Sequence, residues 1–471
     1  MSLAIFWFRR DLRLSDNPAL AAALANHDQI LPLYVHAPQE ETPWQPGAAS
    51  RWWLHHALSD LFAQLHGGLL IRHGDSLATL LELVRDTAAE AVYWNRLYEP
   101  AAVRRDTEIK KVLRAAGVKV VSDNAALLFE PWELCNRQGN AYRVFTPFWK
   151  RLLEFGLPQP SAGSQASRGK LMQAAEQGTL GAGSVDELGL RPGLPWEGGL
   201  AKAWRPTRAG VEARLDEFLA ADLRDYAHGR DLPGRDQVSR LSPYLHFGQL
   251  GPREIVLACR KVPHAAADFL RQLGWREFAH HLLFHFPHTC EEPMDDRFRE
   301  FPWRQDGPAQ CAWQKGETGI PLVDAGMRQL WASGWMHNRV RMIVASFLTK
   351  NLLLSWQGGA RWFWDTLVDA DLASNSLGWQ WTAGCGADAA PFFRVFNPVL
   401  QGERFDPRGD YVRQWVPVLS NVPAKWIQRP WAAPEDVLRE AGVVLGENYP
   451  HPIVDLKETR LRALDAWGRV R

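Results

Sequence analysis

Between residues 4 and 123 the chain alternates between two periodicities. AIFWF (4–8), ILPLYVHA (30–37), GLLIRHG (68–74), AVYWN (91–95) and VKVVSD (118–123) are short, nearly continuous apolar runs. Such runs suit strands buried on both faces of a parallel sheet. PALAAALAN, SRWWLHHALSDLFAQL, DSLATLLELVRDTAAE and AAVRRDTEIKKVLRAAG lie between them and repeat their apolar positions at helical spacing. The alternation predicts an α/β domain over residues 1–130, built on a doubly wound parallel sheet. No GxGxxG or phosphate-binding glycine loop follows the first strand, which argues against an ordinary dinucleotide or triphosphate site there.

The pattern then changes. LPQPSAGSQASRGK and GTLGAGSVDELGLRPGLPWEGG are dense in Gly, Pro and Ser and carry no periodicity, so residues 131–205 read as an interdomain linker. From 206 to 471 nearly every segment has helical spacing, as in PREIVLACRKV, ADFLRQLGWREFAHHLLFHF and HNRVRMIVASFLTKNLLLSW, and no strand stands out. The second domain is expected to be all-α.

Composition sharpens this picture in three places. Twenty-three Trp against eight Tyr exceeds what core packing requires, and indoles also stack on bases or planar ligands. The net charge of +1 excludes a polyanion binder acting by bulk charge, so any nucleic-acid contact must be local. Residues 325–364 offer such a patch, with Arg328, Arg339, Arg341, Lys350 and Arg361 and no acidic residue. The five cysteines form no CxxC pair and read as reduced thiols. His280, His281 and His285 do not share a ligating helix face, so no metal site is expected. The N-terminus lacks a signal-peptide pattern and no run approaches a membrane span, so a cytoplasmic protein is expected, acting as a monomer.

The candidate chemistry lies in the helical half. Asn338, Arg341, Met342 and Ala345 fall on one helix face, a mixture suited to a cavity for something planar with polar edges. Arg341 pointing inward needs an anion, and Asp369 and Asp371 follow in VDADLASN. That arrangement is either architecture or a carboxylate presented to a bound ring, with Asn375 at its edge. Trp379 and Trp381 project to nearly opposite sides of a helix, and Trp275 offers a second wall for an opening beside them.

These motifs identify the sequence as resembling DNA photolyases of the photolyase/cryptochrome family. The match runs through FWFRRDLRLSDNPAL (6–20), VFTPFWK (144–150), SRLSPYLHFGQLGPREI (239–255), WREF (275–278), TGIPLVDAGMRQL (318–330), GWMHNRVRM (334–342), DLASNSLGWQW (371–381) and FNPVLQGERFDP (396–407). HAPQEETPWQPGAASRWWLHHAL (36–58) resembles the class III branch, near plant cryptochromes. The resemblance implies a Rossmann-like α/β domain followed by an all-α FAD-binding domain. It implies FAD held by Tyr226, by Val238, Ser239, Arg240, Leu241 and Ser242 around its phosphates, and by Asn338, Arg341, Asp369, Asp371 and Asn375, the last beside flavin N5. Trp379, Trp356 and Trp303 match the family's electron relay. Gln272, Trp275, Trp381, Asn338 and Met342 match the dimer pocket, and Arg230, Arg276, Arg339 and Arg394 match positions near the DNA backbone.

The implied reaction is light-driven repair of cyclobutane pyrimidine dimers. Enzymes for the (6-4) lesion have histidines where this chain has Asn338 and Met342. A cryptochrome-type photoreceptor is the alternative, and the lack of a long extension after 460 weighs against it. An electron-transfer flavoprotein without a nucleic-acid partner ranks last. Three positions depart from the pattern. Gln272 replaces a Glu, keeping hydrogen-bonding reach but losing the acid; Val238 replaces a Thr beside the phosphates. Ala101 and Ala102 replace the folate-antenna pair of class I enzymes, so a methenyltetrahydrofolate antenna is expected instead near Glu40, Glu41 and Trp44.

Overall fold

A computed structural model of the chain describes residues 2–160, 169–172, 180, 183–389 and 393–470. Strands β1 (Leu3–Phe8), β2 (Gln29–His36), β3 (Leu70–His73), β4 (Ala91–Asn95) and β5 (Lys119–Asp123) form one parallel sheet in the order β3-β2-β1-β4-β5. All five strands expected from the apolar runs are present. The side-chain alternation of β1 shows why both faces need cover. Ala4, Phe6 and Phe8 pack with α1 (Pro18–Asn26) and α2 (Ala48–Gln64). Ile5 and Trp7 pack on the other face with α3 (Ser76–Thr87) and α4 (Pro100–Ala115). The strand order reverses at β1 and β4, which opens a crevice at their carboxyl ends.

Two helices lie within the stretch read as a linker, α5 (Phe145–Phe155) and α6 (Glu197–Ala203). In α5, Phe145, Phe148 and Leu152 fall on one face and are buried. The helical half then runs through α7 (Arg208–Glu217), α8 (Tyr226–Gly229), α9 (Ser242–His246) and α10 (Pro252–Cys259) to the long α11 (Pro263–His285). After it come α12 (Gly307–Lys315), α13 (Pro321–Ser333), α14 (Asn338–Ser346), α15 (Trp356–Thr366) and α16 (Leu372–Ala383), with further helices ending at Val470. Asp371 caps α16 by accepting the Ser374 N–H at 2.8 Å, and Gly384, at a φ of +90°, terminates it.

One helical run is broken where its periodicity continues. HNRVRMIVASFLTKNLLLSW holds α14 and a π-helical turn to Asn351, then stops; Leu353 takes a φ of +58° and its carbonyl accepts the Arg304 N–H at 2.8 Å. A new helix, α15, starts at Trp356. The two halves of the molecule are tied where α2 meets α15: Trp364 Nε1 donates to the Gln45 carbonyl at 2.6 Å, and Ala48 N–H to Asp365 at 2.8 Å. A side chain at Gly47 would collide with the Trp364 backbone at 2.3 Å, so that approach requires glycine.

Candidate active site

Helix α16 is packed between α11, α14 and α15, and a helix so placed should be buried all round. It is not. Ser374 and Gly378 are exposed and Asn375 is half-buried, and a Cβ built at Gly378 meets nothing within 4 Å. Asn338 at the start of α14 is exposed as well, with Arg341 and Met342 half-buried one turn on. Exposed or half-buried polar positions thus fall on the sequence-predicted face of α14 and on one face of α16, two helices that pack together. Polar positions so placed suit the edges of a large cofactor.

The Asp369 carboxylate binds that wall together. Arg341 Nη2 donates to its two oxygens at 3.1 and 2.9 Å, and Ser242 Oγ donates at 2.6 Å. Arg341 Nε donates to the Met336 carbonyl at 2.8 Å, which fixes the guanidinium. Asp371 takes different partners. Its free oxygen lies 3.4 Å from His280 Nε2 and 3.5 Å from His246 Nδ1. Burial opposes its charge, but the two imidazoles outweigh that cost and hold the carboxyl well below the usual range. Burial likewise opposes the charge on His280, and Asp371 more than compensates, so its pKa is raised. His246 and His280 were not among the site residues read from the sequence: His246 lies within the SRLSPYLHFGQLGPREI motif, and His280 was considered only as a metal ligand and set aside.

The segment 238–242 is shaped from behind. Arg214 donates to the carbonyls of Val238 at 2.6 Å and Ser239 at 3.0 Å, and Arg240 adopts a left-handed φ of +52°. Carbonyls held backward leave the N–H groups of such a turn free to face an anion. Val238, half-buried, contributes no hydroxyl. Tyr226 is buried edge-on against Phe218 and Phe269. Asn375 Nδ2 donates to the Ala360 carbonyl at 3.0 Å, which orients its amide.

The indoles run from interior to surface. Trp379 is 2% exposed, edge-on to Phe363 at 5.0 Å, and lies against Gly359 of α15. Trp356, also on α15, is 1% exposed, and Trp303 is half-buried beside Phe301. The bond from Arg304 to Leu353 holds the Trp303 segment against the start of α15. The sequence reading passed over Trp313, which is fully buried, edge-on to Trp379 at 6.2 Å, and bonded to the Val344 carbonyl at 3.0 Å.

Two other indoles stand on separate elements. Trp275 of α11 is stacked on Phe145 with centroids 3.8 Å apart and planes at 8°. Trp381 at the end of α16 lines a cavity of about 280 Å³ with Arg394 and Phe393. Gln380 between the two α16 indoles anchors the helix: its amide donates to the carbonyls of Thr289 and Glu292 and accepts from the Met294 N–H. Of the arginines expected near DNA, Arg276 donates to the Ala126 carbonyl at 2.7 Å, Arg339 pairs with Asp231 at 2.7 Å, and Arg230 donates to Gln272 at 3.0 Å. Arg394 is exposed.

An α/β domain followed by a helical domain is an architecture of two-domain flavoproteins, and comparison with known proteins assigns this chain to one such family. Residues 4–164 match the family model described as DNA photolyase, and residues 269–469 that of the FAD binding domain of DNA photolyase. The chain belongs to the photolyase/cryptochrome family. It is 45% identical to deoxyribodipyrimidine photo-lyase of Agrobacterium fabrum, over 99% of this chain and 98% of that one. It is 40% identical to Cryptochrome-2 of Arabidopsis thaliana, over 99% of this chain and 79% of the other. Its fold superposes on the crystal structure of a bacterial class III photolyase from Agrobacterium tumefaciens with a TM-score of 0.93, at 44% identity, covering 100% and 98% of the two chains. Among the described residues, no helix is long and apolar enough to cross a membrane.

Proposed function

We propose that this protein is a deoxyribodipyrimidine photo-lyase that repairs cyclobutane pyrimidine dimers in DNA under blue light, working as a monomer. The observation that carries this reading is the accessible polar positions on α14 and α16 beside the Arg341–Asp369 pair, with the buried Trp379 and the half-buried Trp381 both on α16. A reduced FAD held by these residues would supply light-driven one-electron chemistry for opening the cyclobutane ring, with no net redox change.

The chain's own residues bind, orient and wire. Arg341, Asp369 and Ser242 would hold the cofactor's polar middle, the 238–242 turn its phosphates, and Asn375 its N5 edge, with Asp371 and its two histidines fixing the start of α16. Trp379, Trp356 and Trp303 would pass electrons inward from the surface. Trp275 and Trp381 would stack on the flipped pyrimidines and exclude water, as is general for enzymes that take a base out of the duplex, photolyases included. Asn338 and Gln272 would bond the base edges. Arg230, Arg276, Arg339 and Arg394 would face the backbone, where charge adds affinity without reading sequence.

We place an antenna, methenyltetrahydrofolate, in a cavity of about 290 Å³ lined by Arg10, Glu41, Trp44, Glu99 and Trp364. Glu99 Oε2 is buried there without a hydrogen-bond partner and suits the amino edge of a pterin. Glu41 and Trp44 line this cavity. Glu40 turns away from it and accepts the Ser76 N–H and hydroxyl, both at 2.7 Å. Loss of a near-UV band in Glu99→Ala, with the flavin bands kept, supports this placement; an unchanged spectrum refutes it.

The decisive test of the function is blue-light repair of a dimer-bearing oligonucleotide by the reduced holoprotein. Dimer loss on illumination, absent in the dark, supports the enzyme. One observation favours the alternative of a cryptochrome-type receptor: Gln272 stands where a carboxylate would assist repair. Flavin photochemistry without dimer loss would establish that reading instead.

A further inference from the structure

Two neighbouring residues after α8 bond to two different helices of the proposed DNA face. The chain turns as soon as α8 ends: Leu232 N–H donates to the Gly229 carbonyl and Arg235 N–H to the Leu232 carbonyl, both at 3.0 Å. Gly234 in this turn lies so close to Asp410 and Tyr411 that a Cβ would meet them at 3.1 and 3.3 Å. The turn is therefore held firmly. From it Arg230 reaches Gln272 on α11 at 3.0 Å, and Asp231 Oδ1 accepts from Arg339 Nη2 on α14 at 2.7 Å.

The two arginines differ in what faces their charge. Arg230 meets a neutral amide. Arg339 meets a carboxylate, and the pair is open to water, with the side chains 21% and 37% exposed. The Arg339 guanidinium also lies 4.4 Å over the ring of Phe405, which the exposed Arg404 approaches at 5.0 Å. The start of α14 does not depend on Asp231. His337 Nδ1 accepts the Arg339 N–H at 3.2 Å, and Gln329 accepts the His337 N–H at 3.1 Å. A pair so exposed adds little to stability. A carboxylate at that distance nevertheless competes with any phosphate that approaches the same guanidinium.

Resting on the reading of Arg339 as a residue that faces the DNA backbone, we infer that Asp231 acts through Arg339 as a brake on DNA affinity. It occupies the guanidinium in the free protein, so a phosphate gains that contact only by sharing or displacing a carboxylate. Phosphate contacts are common to all sequences and do not report damage. The brake therefore weakens the hold on undamaged duplex, the repaired product included.

The test compares Asp231→Asn, which keeps an acceptor and loses the charge, with Asp231→Ala, which loses both. Affinity for an undamaged duplex is titrated at several salt concentrations, with flavin content and melting temperature as controls. Both variants are expected to bind up to about fivefold more tightly at low salt. The slope of log affinity against log salt should steepen by about 0.9, so the gain shrinks roughly 3.5-fold between about 50 and 200 mM salt. A purely structural contact would move the melting temperature and leave the slope alone. Adding Arg339→Ala to either variant should abolish the change in slope. A wild-type slope in either variant, or a steeper slope that persists without Arg339, overturns the inference. A wild-type protein that shows no salt-dependent binding to DNA overturns the reading of the DNA face instead.

Discussion

The guanidinium of Arg230 donates to Gln272 Oε1 at 3.0 Å, and the other end of that amide donates to the Asp268 carbonyl one turn back at 3.3 Å. Both halves of the amide are used within the protein, and Arg230 faces a neutral partner. A carboxylate here would form a charge-assisted bond, roughly twice as strong as this one. Gln272→Glu is therefore expected to anchor Arg230 more firmly and to raise the quantum yield of dimer repair. Counting repaired dimers per absorbed photon checks this, and equal yields would show that the amide performs as well as the acid.

Trp356 starts α15 and is buried in the same apolar cluster as Trp379, against which the half-buried Trp303 also packs. Trp356→Phe keeps the packing of an aromatic ring and removes an easily oxidised indole. The expected outcome is loss of flavin photoreduction from the oxidised state, with repair by chemically reduced protein retained. Transient absorption under blue light separates these. Undiminished photoreduction would point to another route, with Trp313 beside Trp379 as the first candidate.

The ion pair between Asp371 and His280 makes stability depend on pH at both ends. The folded pKa of His280 is raised, so its contribution is complete below about 6.5 and is lost as pH rises through the folded value. Asp371 is depressed, so its contribution is present above about 3.9 and is lost only as pH falls through a much lower value. Melting temperature is expected to decline on the alkaline side, and His280→Gln should flatten that limb. Asp371→Asn should cost ~3–5 kcal/mol, as expected when one partner of a buried pair is removed, read by denaturant unfolding.

Arg339 has Asp231 as a counter-charge at 2.7 Å, and Arg394 is exposed and lines the Trp381 cavity. If Arg394 contacts a phosphate, Arg394→Ala should lower the slope of log affinity against log salt by about 0.9, while Arg339→Ala changes it less. Titrations of DNA binding at several salt concentrations give both slopes.

Much of the fold could be read from hydropathy because its physical cause is local. A strand covered on both faces must be largely apolar, and β1 is throughout, as are β2 and β4 apart from Gln29, His36 and Asn95 at their ends. The end of the run after α14 was not legible: Leu352, Leu353 and Leu354 continue the apolar pattern, and nothing in three leucines announces a left-handed backbone held by a bond from Arg304. In the site, the Arg341–Asp369 pair was foreseeable from an inward arginine needing an anion. The partners of Asp371 were not, since His246 and His280 reach it from 125 and 91 residues away on other helices. Sequence periodicity reports on neighbours along one element and says nothing of which helix ends will meet.

Gly359 shows how small a structural feature can govern the chemistry. The indole of Trp379 rests on bare backbone there, and a methyl group at that position would come within 2.1 Å of the ring. A single hydrogen atom thus decides how closely two helices can bring their aromatic residues together. Because electron tunnelling weakens steeply with separation, a relay through Trp379 of the kind proposed above would depend on keeping position 359 without a side chain.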